Sequence, residues 1–139
     1  MSLKTKYGKI FNTQLTEFLS AVTDVFPDNV DIATATNGVT TLQKMNSTAV
    51  HKMWYQQVTS LYRDEILRGD ISFFIAKDYT QDIDMLAQKG IDKNSDSLLR
   101  SINGLKKNIC ELDVEEQQKC MKYVQNLTQL TILINEGNK

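Results

Sequence analysis

The stretch NSTAVHKMWYQQVTSLYRDEILRGD, residues 46–70, is the clearest helix in this sequence and decides its fold class. Its apolar residues recur every three or four positions, which is the pattern of an amphipathic helix with one face toward a core. Asn46 or Ser47 is placed to cap its start, and Gly69 supplies the left-handed residue with which a helix commonly ends. The apolar stripe consists of Val50, Met53, Trp54, Val58, Leu61, Tyr62 and Ile66.

The end of this helix spells Arg68-Gly69-Asp70, the tripeptide that extracellular adhesion ligands present to integrins. Each residue also suits a junction between two helices. Arg68 carries a cation at a helix C-terminus, Gly69 ends the helix, and Asp70 can cap the next turn. Since these roles account for the order of the three residues, the sequence predicts a helix junction and no integrin partner.

A second amphipathic helix precedes the first one in the chain. The segment FNTQLTEFLSAVTDVF, residues 11–26, has apolar residues at helical spacing. Asn12 can cap its start, and Pro27 prevents its continuation. The lysine-rich residues 1–9 are therefore predicted to form a flexible tail.

Residues 31–44 admit two interpretations. Asn37-Gly38 between Thr- and Val-rich flanks is a β-hairpin signal. On a helix, however, Ile32, Ala35, Val39 and Leu42 would share one face. This shared face favours a weak helix, with the hairpin as the alternative, although Gly38 would cost a helix about 1 kcal/mol relative to Ala.

The C-terminal half continues the helical pattern. Short helices are predicted before Gly90 and over residues 98–112, and Asp113 with Glu116 forms a capping-box pattern before a last helix. The sequence therefore predicts one all-α domain, residues 10–139, with five or six helices in a bundle-like arrangement.

The charge balance argues against a domain devoted to nucleic acid. Residues 1–70 carry seven basic and seven acidic residues, and residues 71–139 carry nine and ten. Tight non-specific binding of nucleic acid requires a basic surface, which this balance does not supply for the whole domain. A nucleic-acid-binding accessory function remains an alternative, through five lysines: Lys4, Lys6, Lys9, Lys106 and Lys107.

No catalytic pattern emerges from the residues that usually carry chemistry. His51 is the only histidine, which excludes motifs that need a histidine pair, and a surface or packed imidazole is expected. Cys110 and Cys120 are too far apart for a C-x-x-C motif and are expected to be small buried side chains.

Two acidic segments could in principle bind a metal. Residues 92–103 begin like a calcium loop but have Ser and Asn where that loop needs Gly and Glu. Asp78 and Asp82 are four residues apart and offer a second alternative, a small metal-dependent enzyme. Such acids are usually a solvated first helical turn favoured by the helix dipole, so the sequence predicts no metal, no cofactor and no enzyme.

Aromatic residues gather in one third of the chain and suggest a partner surface. Phe73 and Phe74 are adjacent, so the two rings cannot point the same way from a helix. Core positions for both are the ordinary outcome, but one ring at an interface would explain the pair. The predicted partner-binding residues are Phe73, Phe74, Tyr79 and Tyr55.

Several residues of the chain form a pattern with a characteristic spacing. They are Phe26-Pro27-Asp28, Lys44-Met45-Asn46, Trp54, Val58, Tyr62, Ile66, Gly69-Asp70, Phe73-Phe74 and Asp78-Tyr79. Over about residues 10–80 this pattern resembles a group of short uncharacterised helical proteins encoded by large DNA viruses of algae and protists. The resemblance implies a viral protein and supplies no catalytic residues.

Together these features predict a non-enzymatic structural or protein-interaction module of a large DNA virus. A protein partner or self-association is expected, and the virion is one setting for it. The N-terminus has no apolar segment typical of a signal peptide, and no run is apolar enough to span a bilayer. The expected location is therefore inside the host cell, in cytoplasm, nucleus or virion, with no secretion and no membrane contact.

Overall fold

The computed structural model describes residues 3–77, 85, 106 and 108–137, and these are almost entirely helical. Six α-helices are bounded as follows: α1 Leu3–Val25, α2 Val30–Met45, α3 Ala49–Trp54, α4 Ser60–Arg68, α5 Ile71–Ala76 and α6 Val114–Glu136. A π-helical turn, Tyr55–Thr59, joins α3 to α4. The described residues contain no strand, so the all-α prediction is confirmed.

Helix α1 lies antiparallel to both α2 and α6. Thr23 and Thr36 hydroxyls approach at 3.4 Å near one end of the α1–α2 pair, and the Gln43 amide donates to Asn12 Oδ1 at 3.2 Å near the other. On the α6 side, the rings of Phe18 and Tyr123 stack with centroids 5.3 Å apart. The N-terminal half of α1 therefore faces the C-terminal halves of α2 and α6.

The core forms where α1, the α3–α4 segment and α6 meet. Phe11, Trp54 and Ile66 are buried there, and the Phe11 and Trp54 rings meet edge to face at 5.9 Å. The buried apolar set includes every aromatic residue of the predicted stripe in residues 46–70. Its other members are Leu15, Phe18, Leu19, Val22, Ile32, Val50, Val58, Tyr62, Met121 and Leu127.

A polar seam crosses this core beside the π-helical turn. Trp54 Nε1 donates to Thr128 Oγ1 at 3.0 Å, and the Thr59 and Thr131 hydroxyls are 2.7 Å apart. Gln57 is completely buried, and neither its Oε1 nor its Nε2 has a hydrogen-bond partner among the described residues. The continuous helix predicted for residues 46–70 is thus interrupted by a wider turn, and π-turns of this kind frequently mark functional sites.

Two predicted helix starts need correction. Helix α1 begins at Leu3, not after Asn12, so residues 3–9 form its first turns where the sequence predicts a tail. Asn12 is not a cap; its side-chain nitrogen donates to the Ser47 carbonyl at 2.8 Å. Helix α3 begins after Thr48, whose backbone N–H donates to the Asn46 side chain.

The hairpin alternative for residues 31–44 is wrong, because α2 covers this segment. Asn29 caps α2 by accepting from the Ile32 N–H at 3.0 Å, and the buried face that includes Ile32 outweighs the turn signal of Asn37-Gly38. Nothing lies within 4 Å of a Cβ placed at Gly38, so no steric contact requires a glycine at this position.

The predicted helix junction at residues 68–70 is confirmed. Gly69 has φ of 75° and ends α4, and Asp70 accepts from the Phe73 N–H at 3.1 Å to cap α5. Asp113 likewise caps α6 by accepting from the Glu116 N–H at 2.8 Å. Among the described residues, no helix is long and apolar enough to cross a membrane.

Candidate interaction surfaces

One end of the bundle carries a concentration of lysines, which we call the basic end. Its residues are Leu3, Lys4, Lys6, Lys9, Lys44, Met45 and Lys52, and all seven side chains are exposed. The last turn of α2 and the start of α3 lie beside residues 8–12 of α1, and the first turns of α1 extend beyond them with Leu3, Lys4 and Lys6. None of the five lysines forms an ion pair within the part of the chain that the structure describes. Leu3 and Met45 are 57% and 78% exposed, so the basic end also presents apolar surface.

The opposite end contains a groove of about 270 Å³, which we call the end groove. It lies between the last turns of α1 and the first turns of α6. Its lining is mainly apolar and consists of Phe18, Ala21, Val22, Val25, Phe26, Leu112, Glu116, Lys119, Cys120 and Tyr123. A volume of this size exceeds what a single water needs and can receive side chains of another chain.

Carboxylates flank the end groove on both sides. Asp24 lies in the last turn of α1 and Asp28 just after this helix, and four more acids lie around the start of α6: Glu111, Asp113, Glu115 and Glu116. Lys119 is the one cation in the lining. Val30 and Val114 lie at the same end and are 74% and 69% exposed. The end groove is thus an apolar channel in an acidic surrounding.

The charges of α1 run against its own macrodipole. A helix N-terminus carries a partial positive charge and a C-terminus a partial negative charge. Helix α1 has Lys4 and Lys6 in its first turn and no acid there, and Asp24 in its last turn with no base. This order weakens α1 slightly, so the stability of the helix does not explain it.

The predicted aromatic partner surface lies inside the bundle for the most part. Phe73 and Phe74 are half-buried against the core, and their rings meet edge to face at 5.1 Å. Phe74 also meets the Tyr62 ring edge to face at 5.9 Å. Both rings therefore have partners in this chain, although each keeps some exposure.

Phe74 lines a central apolar cavity of about 120 Å³. Phe18, Trp54 and Tyr62 contribute further aromatic walls, and almost no polar atom faces the space. Lys106 reaches the edge of the cavity and donates from Nζ to the Lys77 carbonyl at 2.6 Å. Such a lining accepts apolar groups.

Tyr55, another predicted partner residue, belongs to a polar cluster at the end of α6. Its hydroxyl donates to Glu136 Oε2 at 2.7 Å, and this hydrogen bond to a carboxylate raises the Tyr55 pKa. Arg63 forms an ion pair with the same carboxylate. Tyr79, the fourth predicted partner residue, lies outside the described residues.

The lysines predicted for nucleic-acid binding do not all share one surface. Lys4, Lys6 and Lys9 are on the basic end. Lys106 lines the central cavity together with Phe18. Phe18 is nine residues along α1 from Lys9, a distance of roughly 13 Å in a helix. Lys107 lies outside the described residues.

His51 is packed inside the protein, which is one of the two positions expected for it; the other is the surface. It is 5% exposed, its ring meets Phe11 edge to face at 5.9 Å, and a Cβ at Gly8 would lie 3.3 Å from its Nε2. Burial, aided by the charge of Lys52, lowers the His51 pKa below its ordinary value. Its Nδ1 has no hydrogen-bond partner among the described residues.

The cysteines do not form a nucleophilic pair with this histidine. Cys120 is half-buried near Phe18, about three helical turns along α1 from the Gly8 that contacts His51. Burial, with a smaller effect of Glu116, raises the Cys120 pKa and so disfavours the thiolate. Cys110 is exposed, so the expectation that both cysteines are buried is wrong for it; Cys110 is the last helical residue before the turn that leads into α6.

No metal centre is formed by the residues whose positions are described: no three His, Cys, Asp or Glu side chains gather to hold an ion. Asp78, Asp82 and the calcium-like segment 92–103 lie outside those residues. Sequence reasoning missed the end groove. The available signals were the apolar Val25 and Phe26 beside Asp24, and the acids around position 113.

Comparison of the chain with protein families, with curated proteins and with solved structures gives no match.

Proposed function

We propose that this chain is a non-enzymatic helical protein-interaction module, and that its end groove binds a basic, apolar segment of a partner. The observation that supports this most is the combination of an apolar groove with flanking carboxylates. Apolar lining rewards burial of a partner's side chains, and the carboxylates attract a partner with cations beside them. In line with the resemblance over about residues 10–80, we place that partner among the structural proteins of a large DNA virus, with the virion as one setting.

The groove has the chemistry of a helix-binding site, an apolar lining with charged residues beside it. An amphipathic helix uses side chains spaced three or four residues apart to fill a groove of this kind. Lysines on the flanks of such a helix would meet Asp24 and Asp28 on one side and Glu115 on the other. The exposed Val30 and Val114 extend the apolar contact beyond the groove.

A designed helical peptide of Leu and Lys tests this function without knowledge of the natural partner. We expect fluorescence anisotropy to show binding of this peptide, and no binding of a matched peptide of Leu and Glu. Ala21→Arg places a bulky cation in the groove and should abolish binding. Ala33→Arg, at an exposed position of α2 outside the groove, is the matched control and should bind normally.

The function would be refuted if the Leu–Lys peptide did not bind, or if Ala21→Arg bound it as well as the Ala33→Arg control did. Equal binding of both peptides would also contradict the role of the carboxylates.

Nucleic-acid binding through the basic end is the alternative with a specific observation in its favour. Lys44 and Lys52 join Lys4, Lys6 and Lys9 there. A short DNA or RNA duplex binds such a cluster with strong salt dependence if this alternative holds. Absence of binding at low salt would leave the protein-interaction function as the remaining proposal. The metal-enzyme alternative, with Asp78 and Asp82, gains no support from the described residues.

A further inference from the structure

We propose that the occupant of the end groove is the basic end of a second copy of this chain, so that copies join head to tail. This inference rests on the function proposed above and names the partner of the same groove. It is carried by charge complementarity, by exposed apolar residues on both surfaces and by the reversed charge order of α1.

The two surfaces match in charge and in apolar character. The basic end presents Lys4, Lys6 and Lys9 beside the exposed Leu3, on the first two turns of one helix. The end groove presents an apolar lining with carboxylates on its flanks. The first turns of α1 are therefore a segment of the kind that the groove suits, and they belong to the same protein.

The charge order of α1 supplies the second observation. Lys4 and Lys6 lie where acids would stabilise the helix, and Asp24 lies where bases would. Residues that oppose local stability commonly serve a function that compensates for it elsewhere. Contact between the N-terminal lysines of one copy and the carboxylates of the next would supply that compensation at both ends of α1.

The positions of the surfaces require the contact to be intermolecular. The two surfaces lie at opposite ends of α1, whose 23 residues span about 34 Å. The basic end of one molecule thus cannot reach its own groove. Because the two contacting surfaces differ, the assembly is heterologous, and it forms a ring if the rotation closes or a filament if it does not.

Reversal of each end separately tests the inference. One variant carries Lys4→Glu, Lys6→Glu and Lys9→Glu, and the other carries Asp24→Lys, Asp28→Lys and Glu111→Lys. All six positions are exposed, and the caps Asn29 and Asp113 are kept, so both variants should fold, which circular dichroism can confirm. Light scattering coupled to size-exclusion chromatography then gives the mass of each variant and of their mixture.

We expect the wild type to gain mass with concentration at low salt. Its apparent affinity should fall at least about tenfold at about 1 M salt, where the screening length is about 3 Å. Each variant alone should stay monomeric, because both of its ends then carry the same sign. The mixture should associate, because each variant supplies the charge that the other has lost.

A wild type that is monomeric at every concentration, a variant that associates alone as the wild type does, or a mixture that stays monomeric would each overturn head-to-tail assembly. The wild type could stay monomeric while the Leu–Lys peptide still binds in a manner sensitive to Ala21→Arg. In that case the end groove binds a partner, but the partner is not a second copy of this chain. Loss of peptide binding as well removes the proposed function itself.

Discussion

His51 shows how one buried side chain links the core to pH. The ring is enclosed by Gly8, Phe11 and its own helix, and Lys52 lies next to it. Burial disfavours the charged imidazolium, so the folded protein holds the pKa below 6.5, the ordinary value for histidine.

We therefore expect the free energy of unfolding to fall as the pH is lowered through about 6.5. The unfolded chain binds a proton in that range while the folded chain resists it, and linkage then favours unfolding. Urea denaturation between about pH 5 and pH 7 measures the effect. His51 is the only histidine, so His51→Gln should flatten the profile; an equal slope in this variant would assign the effect to other groups.

Gln57 is the second residue whose burial has a measurable consequence. Its amide is fully buried without a hydrogen-bond partner among the described residues, in the middle of the π-helical turn. A buried polar group in this condition costs about 1–3 kcal/mol.

Gln57→Met keeps a similar side-chain length and removes the polar atoms, so we expect it to raise the free energy of unfolding by about 1–3 kcal/mol. Gln56→Met, at the exposed neighbouring position, is the control and should change it little. Chemical denaturation compares the two. Destabilisation by Gln57→Met would indicate that the amide is hydrogen-bonded in solution.

At the scale of helices, two glycines have opposite roles. Gly69 ends α4 with φ of 75°, and a Cβ there would also approach Gln125 Nε2 at 3.2 Å. Gly38 lies inside α2 with no neighbour to meet. Gly69→Ala should therefore destabilise the protein by about 1–2 kcal/mol, and Gly38→Ala should stabilise it by about 1 kcal/mol. Thermal unfolding of both variants checks this pair, and equal effects would contradict the assigned helix boundaries.

The reversed charges of α1 predict that one change raises the stability of the monomer and weakens self-association. Lys4→Glu with Lys6→Glu puts acids in the first turn and should stabilise the monomer by about 1 kcal/mol. The same change should weaken self-association. Urea denaturation of dilute protein gives the first quantity and light scattering the second.

Thr13→Glu, at an exposed position in the middle of α1, is the control and should alter neither quantity much. A loss of stability in the double variant would mean that the lysines serve the fold of the monomer.

For the whole molecule, the sequence predicts what depends on local pattern. The apolar stripe of residues 46–70, the junction at Gly69-Asp70 and the cap at Asp113 follow from helical periodicity and cap chemistry, and all are confirmed. The early start of α1 is missed, because the predicted tail draws its helical stability from packing, as at Gly8 against His51.

The π-helical turn and the two charged ends could not be derived from local pattern. The turn has no known residue signature in this sequence, and its wider spacing depends on contacts such as Thr59 with Thr131, 72 positions apart. The end groove requires knowledge that α1 and α6 are antiparallel. The net charge of −1 conceals the segregation of charge between the ends.

The central claim is that the basic end of one copy contacts the end groove of the next. Zero-length carbodiimide crosslinking of an equal mixture of nitrogen-15-labelled and unlabelled protein tests it most directly, because mixed-isotope peptide pairs identify contacts between copies. We expect mixed pairs that join Lys4, Lys6 or Lys9 to Glu111, Glu115 or Glu116. Absence of mixed pairs, or mixed pairs only between other surfaces, would contradict it.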